Sequence, residues 1–171
     1  MTSGGVDSRE LRAIWSDTLE LAEQLVDTWR IHQRVHLYLL ESLTPEGLAT
    51  PLAKGKSVGS QFAHIHNVRL MWLKASAPDL LDGLDKLEGA ADPSSLAAGL
   101  NASAESISTL ISRTVESGGR VKNFKPHVAG FVGYLVSHES HHRGQIEIAL
   151  RQAGVPISDK VSFGLWEWGV R

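Results

Sequence analysis

Five consecutive residues, His138-Glu139-Ser140-His141-His142, place three imidazoles inside an apolar run from Phe131 to Leu150. Taken as a helix turning about 100° per residue, that run puts Phe131, Leu135, His138, His142, Ile146 and Ala149 on one stripe. Such a stripe is expected to face a core, so two histidines four residues apart occupy positions where leucines would be expected. Imidazoles at i and i+4 can hold one metal ion from a single helix face. His141 falls at the edge of the stripe, roughly 60° from His138 on the side away from His142. Two ligands do not complete a site, so a third donor must come from another element.

Seven of the eight histidines cluster, at 32/36, 64/66 and 138/141/142. His64 and His66 are about 200° apart on a helix, so only one can face the same ion. Periodicity does not choose between them: His64 shares a face with Ser60, Asn67 and Met71, and His66 with Phe62, Arg69 and Leu73. The other is expected at a rim or on the surface. His32 and His36 are again i and i+4; beside Gln33 and Arg34 they read first as ordinary polar positions of an amphipathic helix, with the alternative that they reach the site as ligands or as groups supporting the ligands. The string His138-Glu139-x-x-His142 also matches the zinc-protease pattern, in which the glutamate activates water, with Glu167 downstream as a conceivable third ligand. That chemistry holds an extended substrate against a sheet edge, and strand signals are scarce here. Asn67, Arg143 and Gln145 are candidates for the surrounding shell.

Composition narrows the alternatives. The chain has 171 residues, enough for one domain with a proper core, and no cysteine. That excludes disulfides, thiol nucleophiles and thiolate metal sites, so any thiol chemistry needs a thiol from outside. A formal charge of -2 carries no basic excess for nucleic acid. Apolar runs are too short to span a membrane. The polar, Gly/Ser-rich start, Met1 to Arg9, lacks the apolar core of a signal peptide, and cytoplasm is the expected compartment. No P-loop, G-x-G-x-x-G or G-x-S-x-G motif occurs.

The elements that must position these residues read as helices. The first segment runs from about Ser8 to Ser42, capped by Asp7 or Ser8, with a bend or break expected around Val26 to Trp29 and a stop at Thr44-Pro45-Glu46-Gly47. Ser57 is the expected N-cap of a second helix, Val58 to about Ser76. Leu80 to Ala91 reads as an irregular connection. Asp92-Pro93 opens a third helix to about Ser117, ended by Gly118-Gly119. A fourth runs from Pro126 to Ala153-Gly154, and its glycines 130, 133 and 144 suggest close packing or room at a site. The tail from Ser158, with Phe163, Trp166 and Trp168, is expected to fold back over the helices. The resulting fold class is all-α, an antiparallel four-helix bundle in a single domain over 1–171, with an N-terminal extension over 1–26 and a C-terminal aromatic tail.

Two stretches carry a family resemblance. Ser57-Val58-Gly59-Ser60-Gln61-Phe62-Ala63-His64-Ile65, with Arg69 and Trp72, resembles the second-helix motif of the DinB/YfiT-like proteins. His138-Glu139-Ser140-His141-His142-Arg143-Gly144-Gln145-Ile146 resembles their last-helix motif. The resemblance extends from about Asp27 through the Trp166-Glu167-Trp168 tail. It implies a four-helix bundle, often a homodimer, binding a divalent metal, zinc or nickel, through three histidines. Carried over by motif position, these are His64, His138 and His142. Characterised members include thiol-dependent S-transferases and a thiol-dependent maleylpyruvate isomerase. The expectation is therefore a metal-dependent enzyme, with a low-molecular-weight thiol and a small electrophile as partners. The alternative is a non-catalytic metal- or ligand-binding bundle. His32, His36, His66 and His141 are left without roles.

Overall fold

The computed structural model describes residues 20–88 and 92–171. Among these residues six α-helices follow one another: α1 (Leu21–Glu41), α2 (Pro45–Ala49), α3 (Val58–Ser76), α4 (Pro93–Glu116), α5 (Val128–Gln152) and α6 (Asp159–Gly164). Among the described residues there is no β-strand, only one isolated bridge between Pro51 and Ser57. The bundle consists of the four long helices.

Local chemistry sets their ends. Ser57 Oγ accepts the amide of Ser60, whose own hydroxyl accepts the Ser57 amide at 2.7 Å, so two of the free donors at the start of α3 are satisfied reciprocally. Asp92 accepts the amides of Ser94 and Ser95 at 3.0 Å, ahead of Pro93 at the first helical position. The fourth long helix starts two residues later than expected, at Val128. Its cap is the imidazole of His127, whose Nδ1 accepts the Gly130 amide at 3.1 Å, a role usually filled by Ser or Asp.

Other boundaries also moved. The bend expected at Val26 to Trp29 is absent: α1 runs unbroken from Leu21, so residues 21–26 continue the bundle helix. Residues 8–19 of the expected first segment lie outside the described residues. The stop at Thr44 is followed by a short helix, α2, capped by the Thr44 side chain. In the tail, Leu165 is buried and Trp168 packs on the core, whereas Phe163 and Trp166 are exposed. The helical glycines do not mark close packing throughout: a Cβ added at Gly133 or Gly144 would meet nothing within 4 Å.

Cross-helix contacts give the directions. Trp29 meets Ala104 while Gln33 meets Asn101, so α1 and α4 are antiparallel. Gln61 meets Gln145 while Trp72 meets Phe131, so α3 and α5 are antiparallel as well. His66 lies beside Gly99 and Asp79 beside Arg113, so α3 and α4 run the same way. A parallel pair needs a connection that returns along the bundle, and the link from Ala77 to Asp92 supplies it.

Two apolar clusters fill the interior. One joins Val35, Leu39, Ile65, Leu100, Ile146 and Leu150; the other joins Trp29, Leu73, Ala104, Ile107, Phe131 and Leu135. Between them lies a polar layer of His32, Gln33, His36, Arg69, Ser103 and Glu139, all buried.

Candidate functional site

His64 on α3 and His138 and His142 on α5 converge. Each offers a ring nitrogen within 4.8 Å of the others. His138 Nε2 and His142 Nε2 are 3.0 Å apart, and the His64 ring centroid is 4.6 Å from that of His142 and 5.7 Å from that of His138. The rings are half-buried. Burial pulls all three below the usual histidine range. For His142, pulled to about 4, the hydrogen bond with Gln145 opposes burial, while His138, His64 and His141 reinforce it. For His64, His138 and Lys56 add to burial. For His138, Glu139 opposes it. Near neutral pH the three rings are therefore uncharged, with lone pairs available, the state a metal ligand requires.

Polar neighbours orient the cluster. Gln145 Oε1 lies 3.1 Å from His142 Nδ1 and also accepts from Gln61 Nε2 at 2.6 Å. The Gln61 amide reaches His142 Nδ1 as well. With the His142 proton on Nδ1 and donated to Gln145, the Gln61 amide donates to Gln145 rather than to Nδ1, and the Nε2 lone pair is left facing His138. Tyr134 stacks on His138 with ring centroids 6.1 Å apart. A recess of about 460 Å³ opens against this cluster at His142, and its lining includes Gln61, Gln145, Pro51, Lys54 and Lys56.

A second group of donors lies in the polar layer: His32, His36 and Glu139. Glu139 Oε2 is 3.1 Å from His32 Nε2 and 3.0 Å from His36 Nε2, and those two nitrogens are 3.0 Å apart. Arg69 grips the same carboxylate at both oxygens, Nε to Oε1 and Nη2 to Oε2, each at 2.7 Å. Its Nη1 donates to Gln33 Oε1 at 2.8 Å and to the Leu100 carbonyl at 2.9 Å, and its guanidinium lies 4.8 Å over the Trp29 ring. One side chain thereby ties α3 to the other three long helices. Burial pushes the Glu139 carboxyl up, but the Arg69 charge and the hydrogen bonds from Arg69, His32 and His36 outweigh it and hold Glu139 well below the usual range. Burial lowers both histidines, His36 to about 3. The cluster is thus an Arg–Glu ion pair beside two neutral imidazoles.

Several sequence expectations change here. Glu139 is not the water-activating glutamate of a zinc protease, because it points into the core and is held by Arg69. Glu167 lies in the tail, paired with Arg171 at 3.0 Å. His32 and His36 are fully buried rather than ordinary polar positions of a helix face, and they meet Glu139 instead of the three-histidine cluster. His66 is not a rim residue: it is 1% exposed, and its Nε2 donates to the Asp85 carbonyl at 2.9 Å. Asn67 sits away from the cluster, clamping the backbone of Leu87 through both its amide atoms. Arg143 donates to Ser140 Oγ at 3.1 Å. His141 is exposed, 2.9 Å from the Gln145 amide. Sequence reasoning gave no site role to Gln61, Lys54, Lys56 or Tyr134. Gln61 is the one it was placed to find, three residues before His64 on a helix whose length was read correctly.

A family model described as "DinB family" matches residues 16–163. No curated protein and no solved structure matches the chain.

Proposed function

The chain belongs to the DinB family, and from that premise we propose that it is a divalent-metal-dependent enzyme, a thiol-dependent S-transferase acting on small electrophiles. His64, His138 and His142 would hold the ion, zinc or nickel. The observation that carries this reading is the meeting of three neutral imidazoles from two helices, one of which, His142, walls a recess large enough for a small molecule. An ion bound by three protein ligands keeps a position for a thiol and lowers its pKa towards the thiolate.

The chain's own residues set the rest. Gln145 fixes the plane and proton of the His142 ring, and Gln61 holds Gln145 in place by donating to its Oε1. Tyr134 packs on His138. The thiol comes from outside, because the chain has no cysteine. Transfer forms a sulfur–carbon bond at the electrophile and breaks the bond to the leaving group, which departs with the electron pair. The thiol proton passes to solvent, since no carboxylate is among the residues that wall the recess and Glu139 is sequestered by Arg69.

A second reading, a structural ion held by His32, His36 and Glu139, takes support from their mutual approach within about 3 Å. It is disfavoured by charge. Arg69 already neutralises Glu139, so a divalent ion there would add its full charge to a sealed site.

The test is conjugation of 2-mercaptoethanol to 1-chloro-2,4-dinitrobenzene and to a panel of related electrophiles, using zinc- or nickel-loaded protein. Turnover above background that disappears in a folded His142→Ala variant is expected. Background rates across the panel would overturn the enzymatic reading.

A further inference from the structure

The recess beside the three-histidine cluster has a charge that the chain as a whole does not. The protein carries 17 basic and 19 acidic residues. The ten residues lining the recess include Lys54 and Lys56 and no aspartate or glutamate. Among the described residues neither lysine side chain has an ion-pair or hydrogen-bond partner, although four surface or core arginines find carboxylates. The lysines are also not on a loose tail. The Leu52 amide donates to the Lys56 carbonyl at 2.7 Å and the Val58 amide to the Thr50 carbonyl at 3.0 Å, closing a tight turn against the start of α3. Lys54 sits at its tip with φ 60° and ψ 35°, a left-handed conformation that Gly or Asn adopts at less cost. Lys56 is near enough to the cluster for its charge to bear on His64.

We infer that this recess is a subsite for an anionic group, a carboxylate in the first instance, on the small molecule that reaches the three-histidine centre. The Lys54–Lys56 turn would hold the anionic end while the reacting end lies at His142. Gln61 and Gln145 add neutral hydrogen-bonding groups to its lining. The inference rests on the proposed metal-and-thiol reading for its orientation, and on the recess lining for its charge preference. It assigns the substrate class: an acidic thiol or an acidic electrophile, not a neutral or cationic one.

The test uses the full chain loaded with cobalt(II), whose visible spectrum reports sulfur ligation. It is titrated with 3-mercaptopropionate, 2-mercaptoethanol and 2-mercaptoethylamine, which differ in charge. In parallel, succinate is titrated into metal-free protein, and the backbone amide shifts of residues 54–56 are followed by NMR. Exposed lysines contribute modestly, so the expected preference for the anionic over the neutral thiol is about 3- to 10-fold at low ionic strength, shrinking with salt. In Lys54→Gln/Lys56→Gln the ratio should fall to near unity, and Lys54→Glu/Lys56→Glu should favour the amine. Equal affinities for the three thiols in the parent, or an unchanged ratio in the glutamine variant, would overturn the inference. If no thiol alters the cobalt spectrum while succinate still shifts the turn, the metal-and-thiol reading fails and the anion subsite stands. Succinate leaving those amides unmoved, with no thiol preference, removes the subsite.

Discussion

Replacing Arg69 with methionine should be among the most damaging single changes to this protein's stability. The methionine keeps much of the buried volume but leaves Glu139, 1% exposed, without its cation. Two charge-assisted hydrogen bonds of 2.7 Å are lost with it, and Gln33 Oε1 and the Leu100 carbonyl lose a donor. Breaking one side of a buried pair of this kind costs about 3–5 kcal/mol, a large part of the roughly 5–15 kcal/mol typical of a folded domain. For a chain of this length that corresponds to a fall in Tm of roughly 6–20 °C. Urea unfolding followed by far-UV circular dichroism at pH 7 measures the cost. Two controls bear on the cause. An Arg69→Met/Glu139→Leu double variant should be more stable than Arg69→Met, because no charge is left stranded. The single variant should also lose less stability than the parent on acidification, since His32 or His36 can take up a proton beside the unpaired carboxylate. A cost below about 1 kcal/mol for Arg69→Met, or a double variant less stable than the single, would refute the assignment of the pair as the joint of the four helices.

Three further outcomes follow from the same structure. His36 and His142 have folded-state pKa values of about 3 and about 4, below the ordinary 6.5, so the unfolded chain binds more protons between those limits. Stability is complete above about pH 6.5 and is lost as pH falls towards 3, which Tm measured across that range checks; a flat profile would contradict it. Ser57→Ala removes the acceptor for the Ser60 amide at the start of α3 and should cost about 1 kcal/mol in urea unfolding. Gly133→Ala should instead stabilise by roughly 0.5–1 kcal/mol, because the position is helical, exposed and free of any atom a Cβ would meet.

Much of the architecture was legible because its signals are local. Ser57 before α3, Asp92-Pro93 before α4 and Gly118-Gly119 after it mark helix ends through groups a few residues apart. The His127 cap was not, since an imidazole at that position is not a usual start signal. The parallel course of α3 and α4 was hidden too: only the length of the Ala77–Asp92 link hints at it. At the site, the i, i+4 spacing of His138 and His142 showed that they share a face, and the motif resemblance singled out His64. The polar layer escaped because Glu139, four residues after Leu135, occupies a core position. That is tolerable only once Arg69 arrives from a helix 70 residues earlier, a pairing that periodicity does not encode. The same blindness made His32 and His36 read as ordinary polar positions. The lysines of the recess were missed because their proximity to His142 depends on how the 50–57 turn folds against α5.

The most direct test of the account is the metal content of the untagged protein after reconstitution, measured by elemental analysis in three forms: parent, His138→Ala/His142→Ala, and His32→Gln/His36→Gln. A centre built on His64, His138 and His142 requires close to one equivalent of a divalent ion in the parent and in the His32/His36 variant, and none in the His138/His142 variant. Metal retained without His138 and His142 but lost without His32 and His36 would move the ion to the buried cluster and contradict the proposed centre, and a parent that binds no ion would contradict it outright.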